Sequence, residues 1–294
     1  MKRREFNRGT LAVLAMSAFG RLQAAEQTEK PLVAVDTHAH VFHRGLSFIP
    51  ERRYTPEYDA FPEQYLGQLD ANGMSHGVII PISILGTDNS YTLEALTMSK
   101  GRLRGVAVVD PEKDLGTLDA LNEAGVVGIR MNLVGDLPIP EVKSEAWKEL
   151  VSECVERDWH VEVHDKAERL QGIVAPLLES GVKVVVDHFG RPDPEQGVND
   201  PGFQFLLTVA DSGQLWVKLS APYRLSLDTA AAAAPLLIDR LGPERLLWGS
   251  DWPFTGFEES TRYEDMRALL DTWVPDSEQR RVILAHTPRA LYHF

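Results

Sequence analysis

Short apolar runs rich in β-branched residues alternate with longer segments of helical periodicity from Leu32 onward. This alternation is typical of βα units and therefore of a parallel sheet. Eight runs are predicted to be strands, at residues 32–36, 77–82, 103–109, 126–131, 160–163, 182–187, 215–219 and 245–249. Eight βα units within about 260 residues predict a single-domain (β/α)8 barrel, the TIM-barrel architecture.

Glycines stand at the ends of the predicted helices. The helices are expected at residues 62–72, 91–100, 117–124, 142–157, 167–180, 202–212, 228–241 and 263–274, and the glycines are Gly101, Gly125, Gly181, Gly213 and Gly242. A left-handed residue commonly stops a helix, and glycine adopts that conformation without strain. An open doubly wound sheet is the alternative, but residues 36–40 replace the glycine-rich phosphate loop that such a sheet carries after its first strand.

Two segments lie outside this repeat. Residues 277–292 are predicted to form an extra C-terminal helix with Asp276 as its N-cap, packed against the barrel exterior. The irregular residues 41–61 follow the first strand and include Arg53 and Tyr54, with Arg44 and Arg52 nearby. They are placed to form a wall or lid over the barrel mouth, and a plain surface loop is the alternative.

Two histidines stand at the end of the first predicted strand, where barrel enzymes build their chemistry. His38 and His40 are two residues apart, so the alternation of a strand sends both toward the barrel interior. Asp36 is expected on the same face. Paired histidines at this spacing favour a binding role, whereas a single one is often only a hydrogen-bonded core residue.

Later strands carry similar residues. His160, Glu162 and His164 alternate with valines, so all three are predicted to face inward, with His164 at the top. His160 and Glu162 are expected lower in the barrel, paired with each other or with Lys218. Two further residues complete the candidate set after the sixth and eighth strands, His188 and Asp251.

The convergence of these groups predicts hydrolysis of an ester, amide or lactone. His38, His40, His164, His188 and Asp251 are candidate ligands of one divalent ion, for which zinc suits the nitrogen and carboxylate set best. Such an ion lowers the pKa of bound water to near 7, and Asp251 would take the proton. Without metal, Asp251 could act as general base while the imidazoles of His38, His40 and His188 polarise the carbonyl.

The same residues resemble those of the amidohydrolase superfamily, whose barrels carry His-x-His on strand 1, histidines on strands 5 and 6, and an aspartate on strand 8. The chain looks most similar to the 2-pyrone-4,6-dicarboxylate lactonase-like branch over nearly all of residues 25–294. The motifs that carry the resemblance are Arg53-Tyr54-Thr55-Pro56, Gly86-Thr87-Asp88-Asn89, Gly128-Ile129-Arg130-Met131-Asn132, Asp187-His188-Phe189-Gly190-Arg191-Pro192 and Trp248-Gly249-Ser250-Asp251-Trp252-Pro253.

This resemblance implies hydrolysis of a lactone whose carboxylates are gripped by Arg130, Arg191 and Arg224. A planar guanidinium binds a carboxylate at two points. Salt bridges between barrel loops are the plainer interpretation of these arginines.

The sequence departs from the branch at two positions. Asp136 stands where the lactonase has a second basic residue, which disfavours a doubly charged pyrone dicarboxylate as substrate. His164 stands where that metal-free enzyme has a tyrosine, which makes a bound metal more plausible here.

Three functions follow as hypotheses. The first is a hydrolase that opens a carboxylate-bearing lactone, metal-assisted or metal-free. The second is a lactone isomerase or a metal-dependent decarboxylase on the same barrel, which product analysis separates from the first. The third is a non-catalytic exported binding protein, which would be stabilised by ligand without turnover.

The net charge indicates which partners to expect, and the first residues indicate where the protein acts. The chain has a formal net charge of −13, so we do not expect nucleic acid or an anionic membrane as a partner. The expected partner is a small anionic or lactone substrate. Residues 1–24 have the basic, apolar and small-residue order of an export signal, and Lys2-Arg3-Arg4-Glu5-Phe6 resembles a twin-arginine motif. We therefore expect export to the periplasm without a stable membrane anchor; an ordinary secretory leader is the alternative.

Overall fold

The computed structural model describes residues 31–135 and 137–294. The leader at residues 1–24 and Asp136 lie outside the described residues. Eight parallel strands form one sheet in the order β1 to β8, and each strand is hydrogen-bonded to its neighbours in sequence. The strands are β1 (Val35–Ala39), β2 (His76–Ile79), β3 (Leu103–Ala107), β4 (Val126–Asn132), β5 (His160–His164), β6 (Lys183–Val186), β7 (Leu215–Ser220) and β8 (Leu246–Gly249).

The helices lie between the strands as the periodicity predicts. They are α1 (Pro62–Ala71), α2 (Ser90–Met98), α3 (Leu118–Glu123), α4 (Glu145–Glu156), α5 (Ala167–Glu179), α6 (Pro201–Thr208), α7 (Leu227–Leu241), α8 (Tyr263–Trp273), α9 (Ser277–Arg281) and α10 (Thr287–Leu291). The five glycines predicted to stop helices all have positive φ, between 69° and 96°. None of the helices among the described residues has the length and apolarity needed to cross a membrane.

The barrel closes through the chain that follows β8. Asp251 N donates to His38 O at 2.9 Å, and His40 N donates to Trp252 O at 2.8 Å. These bonds join the first strand to the last, and with the helices between strands they confirm the (β/α)8 barrel. They also fix residue 251 beside the two histidines of β1.

The first two strands differ most from the predicted bounds. β1 begins at Val35 because the amides of Val33 and Ala34 donate to the Ser75 hydroxyl instead of a neighbouring strand. It continues through the polar residues 37 and 38, which are buried inside the barrel. β2 ends at Ile79, ahead of Pro81, which has no amide hydrogen for a ladder. Polarity alone therefore misplaced the end of the first strand.

The C-terminal segment packs into the core between the strands and the helices through Ile283 and Leu284, in line with the predicted packing against the barrel, but its end closes the bottom of the barrel, which was not predicted. Asp276 caps α9 as expected, with its carboxylate accepting from the amides of residues 278 and 279. A π-helical stretch, Val282–His286, then leads into α10. Leu291 and Tyr292 pack with the inward residues of the lower strands, namely Val35, Val78, Val106, Val127, Val185 and Leu247.

His160 is a fully buried histidine of this lower layer. Its ring lies against Gly128, where a Cβ would come within 2.5 Å of the imidazole, and edge-on to Tyr292 at 5.1 Å between centroids. Burial lowers the pKa of His160 from 6.5 to about 3. The folded barrel therefore holds this imidazole neutral at every ordinary pH.

This buried imidazole predicts a loss of stability in acid. Since the unfolded chain takes up a proton below pH 6.5 and folded His160 does so only near about 3, stability is full above this window and falls as the pH drops through it. His160 should contribute a slope of about 1.4 kcal/mol per pH unit to the free energy of unfolding. Urea unfolding at a series of pH values should show a shallower slope for His160→Gln. The control is His286→Gln at an exposed histidine; equal slopes for wild type and His160→Gln would contradict the assignment.

Candidate functional site

The five predicted chemical residues meet at the C-terminal mouth of the barrel. His38 lies on β1, His40 directly after it, His164 ends β5, and His188 and Asp251 follow β6 and β8. All are at most 7% exposed. The His38 ring centroid lies 4.9 Å from that of His40 and 4.8 Å from that of His188, which is 4.7 Å from that of His164.

The backbone reaches this arrangement through left-handed residues just past three strands. His188 (φ 51°), Ala221 (φ 46°) and Asp251 (φ 61°) follow β6, β7 and β8. Such a conformation costs a non-glycine residue about 1–2 kcal/mol. Strained residues of this kind cluster at functional sites, and here they turn the chain sharply at the mouth.

Asp36 does not join the histidines, contrary to the prediction that it shares their face. The register of β1 shifts between Asp36 and Ala39. The Asp36 carboxylate accepts hydrogen bonds from Ser250 N at 2.8 Å, from Ser250 Oγ at 2.6 Å and from the Tyr263 hydroxyl of α8 at 2.9 Å. Its role is therefore to tie β1 to the turn that carries Asp251.

Asp251 is an ionised carboxylate with two different sides. Its Oδ2 accepts from the Tyr223 hydroxyl at 2.7 Å and from Arg224 Nε at 2.8 Å. Its Oδ1 lies 3.2 Å from His40 Nε2 and 3.5 Å from His38 Nε2. Burial alone would raise the pKa of Asp251, but Arg224 and the nearby imidazoles outweigh it and hold the pKa well below its usual value. Oδ1 is thus the oxygen available for chemistry.

His40 presents a lone pair or a proton to that oxygen. Its Nδ1 lies 2.7 Å from Ile80 O, a carbonyl that can only accept, so Nδ1 carries a proton. In a neutral ring Nε2 would then face Asp251 Oδ1 at 3.2 Å as a second acceptor. Two acceptors at this distance require a proton or a metal cation between them.

Below the histidines lies a cluster of four buried charges, which we call the ion cluster: Arg130, Glu162, Asp187 and Lys218, from β4, β5, the end of β6 and β7. Arg130 Nη2 donates to Asp187 Oδ2 at 2.8 Å, and Arg130 Nε lies 3.2 Å from Glu162 Oε1. Lys218 Nζ donates to Glu162 Oε2 and lies 3.4 Å from Asp187 Oδ1. The two cations balance the two carboxylates, as burial of charge requires.

The two carboxylates of the ion cluster differ in proton affinity. Burial, followed by repulsion from Asp187, raises the pKa of Glu162 to about 7. Burial would also raise the pKa of Asp187, but Lys218, His38 and Arg130 outweigh it and hold this pKa well below the usual value. The sequence had paired Glu162 with Lys218 correctly but missed Asp187. A charged residue closing a run of valines was the available signal.

His164 lies between two arginines. Arg130 Nη2 is 3.1 Å from its Nδ1, and Arg191 Nη1 is 3.3 Å from its Nε2. Burial, then His188 and Arg130, hold the pKa of His164 well below 6.5, so the ring is neutral. Its role as a metal ligand stays a prediction, and ligation through Nε2 would require Arg191 to move.

The arginines at the mouth fall into two groups. Arg130 and Arg224 are paired with Asp187 and Asp251. Arg53 donates to Ser83 Oγ at 3.3 Å and Arg191 contacts His164. Within residues 31–135 and 137–294, neither of this second group has an ion pair with a carboxylate. Burial and repulsion from neighbouring arginines lower the pKa of both Arg53 and Arg191.

A cavity of 1250 Å³ opens at this mouth. Arg53 and Tyr54 of the segment 41–61 line it together with His40, Arg130, His164, His188, Arg224 and Asp251. That segment therefore forms a wall of the mouth, as predicted. Arg44 instead pairs with Asp59, and Arg52 with Thr55 and the carbonyl of Ile49.

The mouth can accommodate a divalent cation. His38, His188 and Asp251 offer ligand atoms that all lie within 4.8 Å of one another. The buried His38 Nε2 has no hydrogen-bond partner within the described part of the chain. Burial lowers the pKa of His188 to about 3 and that of His38 well below 6.5, and neutral imidazoles of this kind are suitable ligands.

Known proteins are similar to this chain over most of its length. A family model described as amidohydrolase matches residues 35–294. A 4-sulfomuconolactone hydrolase of Hydrogenophaga intermedia is 32% identical over 87% of this chain and 88% of its own length.

Two solved structures add to this similarity. A candidate 2-pyrone-4,6-dicarboxylic acid hydrolase from Pseudomonas putida is 41% identical with a TM-score of 0.83, covering 90% of this chain and 98% of that one. Another, from Acinetobacter baumannii and solved with citric acid bound, is 33% identical with a TM-score of 0.85, covering 90% and 100%. The chain therefore belongs to the amidohydrolase family, and it is an enzyme of that superfamily.

Proposed function

We propose that this enzyme hydrolyses a lactone that bears a carboxylate or a similar anionic group. One observation carries the proposal: the ionised Asp251 lies beside the imidazoles of His38 and His40, at a mouth where Arg53 and Arg191 have no carboxylate partner among the described residues. A carboxylate next to proton carriers activates water, and unpaired guanidinium groups attract an anion. The lactone hydrolase relative and the citric acid bound in a neighbouring structure support this choice.

The reaction would proceed by attack of water on the ring carbonyl. Asp251 Oδ1 takes a proton from the water, and the oxygen of the water forms a bond to the carbonyl carbon. The imidazoles of His38 and His188 face the carbonyl oxygen and stabilise the charge that develops there, and His40 adds to this when its Nε2 also carries a proton. The ester C–O bond then breaks, and the proton returns from Asp251 to the departing ring oxygen. The new carboxylic acid releases its own proton to solvent, so the product carries one additional carboxylate.

The arginines would orient the substrate before this step. Arg191 and Arg53 are placed to bind the anionic group of the substrate, with Tyr54 beside them. Arg130 and Arg224 act differently, since each already holds a carboxylate of the protein. Arg224, together with the Tyr223 hydroxyl, fixes the direction in which Asp251 points.

A divalent ion at the mouth is also part of the proposal. His38, His188 and Asp251 would hold it, with His40 and His164 as the further candidates of the predicted set, and zinc suits such nitrogen and carboxylate ligands. When bound, such an ion supplies Lewis-acid polarisation and lowers the pKa of a bound water.

The place of action is also a proposal. The basic and apolar order of residues 1–24 supports export, by the twin-arginine route, to the periplasm.

Loss of the Asp251 carboxylate should nearly abolish turnover. Asp251→Asn keeps the shape of the side chain but removes the base, so kcat should fall by roughly a hundredfold to ten-thousandfold. Initial rates across sugar-acid and pyrone lactones, followed by mass spectrometry of the products, measure this. The matched control is Asp271→Asn on the outer face of α8.

Four outcomes would contradict the proposed function. Wild-type rates in Asp251→Asn would remove this residue from the mechanism. A product of unchanged mass would indicate an isomerase, and release of carbon dioxide a decarboxylase. Stabilisation by lactones with no turnover in the wild type would indicate a binding protein.

Removal of Arg191 should weaken substrate binding. Arg191→Met deletes a charge-assisted contact to the substrate anion, so kcat/KM should fall about tenfold to a hundredfold, mostly through KM. Uncharged lactones of the same ring size should lose far less. Arg52→Met, at an exposed arginine outside the cavity, is the control. An equal loss for charged and uncharged lactones would contradict the anion-binding role.

A further inference from the structure

Lys218 is a fully buried lysine directly beneath His38. Its ammonium group has three hydrogens and three acceptors in reach: Glu162 Oε2, His38 Nδ1 at 3.1 Å and Asp187 Oδ1 at 3.4 Å. An ammonium group has no lone pair, so it can only donate. Charge balance in the ion cluster explains why a lysine is tolerated there, but not why it contacts a histidine of the mouth.

The contact with Lys218 decides which nitrogen of His38 carries the proton. A hydrogen on Nδ1 would point at the ammonium group, placing two donors 3.1 Å apart. Asp187 Oδ1 lies 3.2 Å from the same nitrogen and would favour a proton there. However, Asp187 Oδ1 has no partner of hydrogen-bond geometry within the described residues, whereas the Lys218 contact meets that geometry. The contact with Lys218 therefore determines that Nδ1 of His38 accepts a hydrogen bond and carries no proton.

We infer that Lys218 holds His38 in the tautomer with the proton on Nε2, so that His38 donates a hydrogen bond into the mouth and must lose this proton before it can bind a divalent ion, which weakens the affinity of the site. His38 Nε2 is buried, lies 3.5 Å from Asp251 Oδ1 and is otherwise unpartnered in the described structure. The hydrogen on Nε2 is thus available for a substrate carbonyl oxygen. This role as donor rests on the proposed function; the assignment of the tautomer does not.

The neighbouring carboxylate shows what the lysine prevents. Without Lys218, Nδ1 of His38 could donate to Asp187 Oδ1, 3.2 Å away. Nε2 would then present a lone pair, which is the carboxylate, histidine and metal arrangement found in many metal sites. Lys218 is accordingly a positioning residue that sets the balance between a hydrogen-bond donor and a metal ligand.

The tautomer can be read directly by nitrogen NMR of the full chain labelled with ¹⁵N-histidine. Wild type should show His38 with the proton on Nε2, its signals assigned by their loss in His38→Gln. The double variant Lys218→Met/Glu162→Gln removes one charge of each sign from the ion cluster, and should move the proton to Nδ1. Glu162→Gln alone keeps the lysine and is the matched control, with the wild-type tautomer expected.

The affinity for Zn²⁺ gives a second readout that needs no turnover. Competition with a chelating dye should show that the double variant binds Zn²⁺ roughly tenfold to a hundredfold more tightly than wild type and Glu162→Gln. A proton on Nδ1 of His38 in the wild type would overturn the inference, as would unchanged tautomer and affinity in the folded double variant. If Asp251→Asn kept full activity, the proposed function would fail while this assignment stood.

Discussion

The active end of this barrel depends on the mutual neutralisation of four charges in its interior. Arg130, Glu162, Asp187 and Lys218 come from four consecutive strands and lie at one level beneath the histidines. A buried charge that loses its partner costs about 3–5 kcal/mol, so Arg130, Lys218 and the ionised Asp187 cannot be removed alone without a large penalty. Glu162, whose pKa is raised to about 7, loses its charge at a much lower cost. The cluster therefore fixes both the spacing of β4 to β7 and the position of the groups above it.

The ion cluster also determines what the mouth can do. Lys218 contacts His38 and Arg130 contacts His164, so the charges below constrain the protons above. Asp251 receives the complementary constraint from outside, since Arg224 and Tyr223 hold one of its oxygens and leave the other facing the imidazoles. The pairing of each charge thus determines which groups remain available at the mouth. These are one oxygen of Asp251, the neutral imidazoles, and two arginines, Arg53 and Arg191, that have no carboxylate partner in the described structure.

The sequence could predict the strands, the helices and the convergence of the five chemical residues, because each depends on local periodicity or on placement at a strand end. The prediction that five glycines end helices was confirmed for the same reason, since the need for a left-handed residue at a helix end is local. The errors involve partners distant in sequence. Asp36 turned toward Ser250 and Tyr263, and Tyr292 entered the barrel. The sequence also left open whether Arg130 and Arg224 bind substrate or form salt bridges, and both pair with carboxylates of the protein. No spacing along the chain encodes these choices.

The central claim is that a substrate anion lies at Arg53 and Arg191 while the lactone carbonyl faces Asp251. A crystal structure of Asp251→Asn with a slowly hydrolysed carboxylate-bearing lactone tests this most directly. We expect the carboxylate between the two guanidinium groups, and the ring carbonyl carbon about 3–3.5 Å from a water held by the side chain at position 251. A lactone bound with its carboxylate at another face of the mouth, and its carbonyl turned away from that side chain, would contradict it.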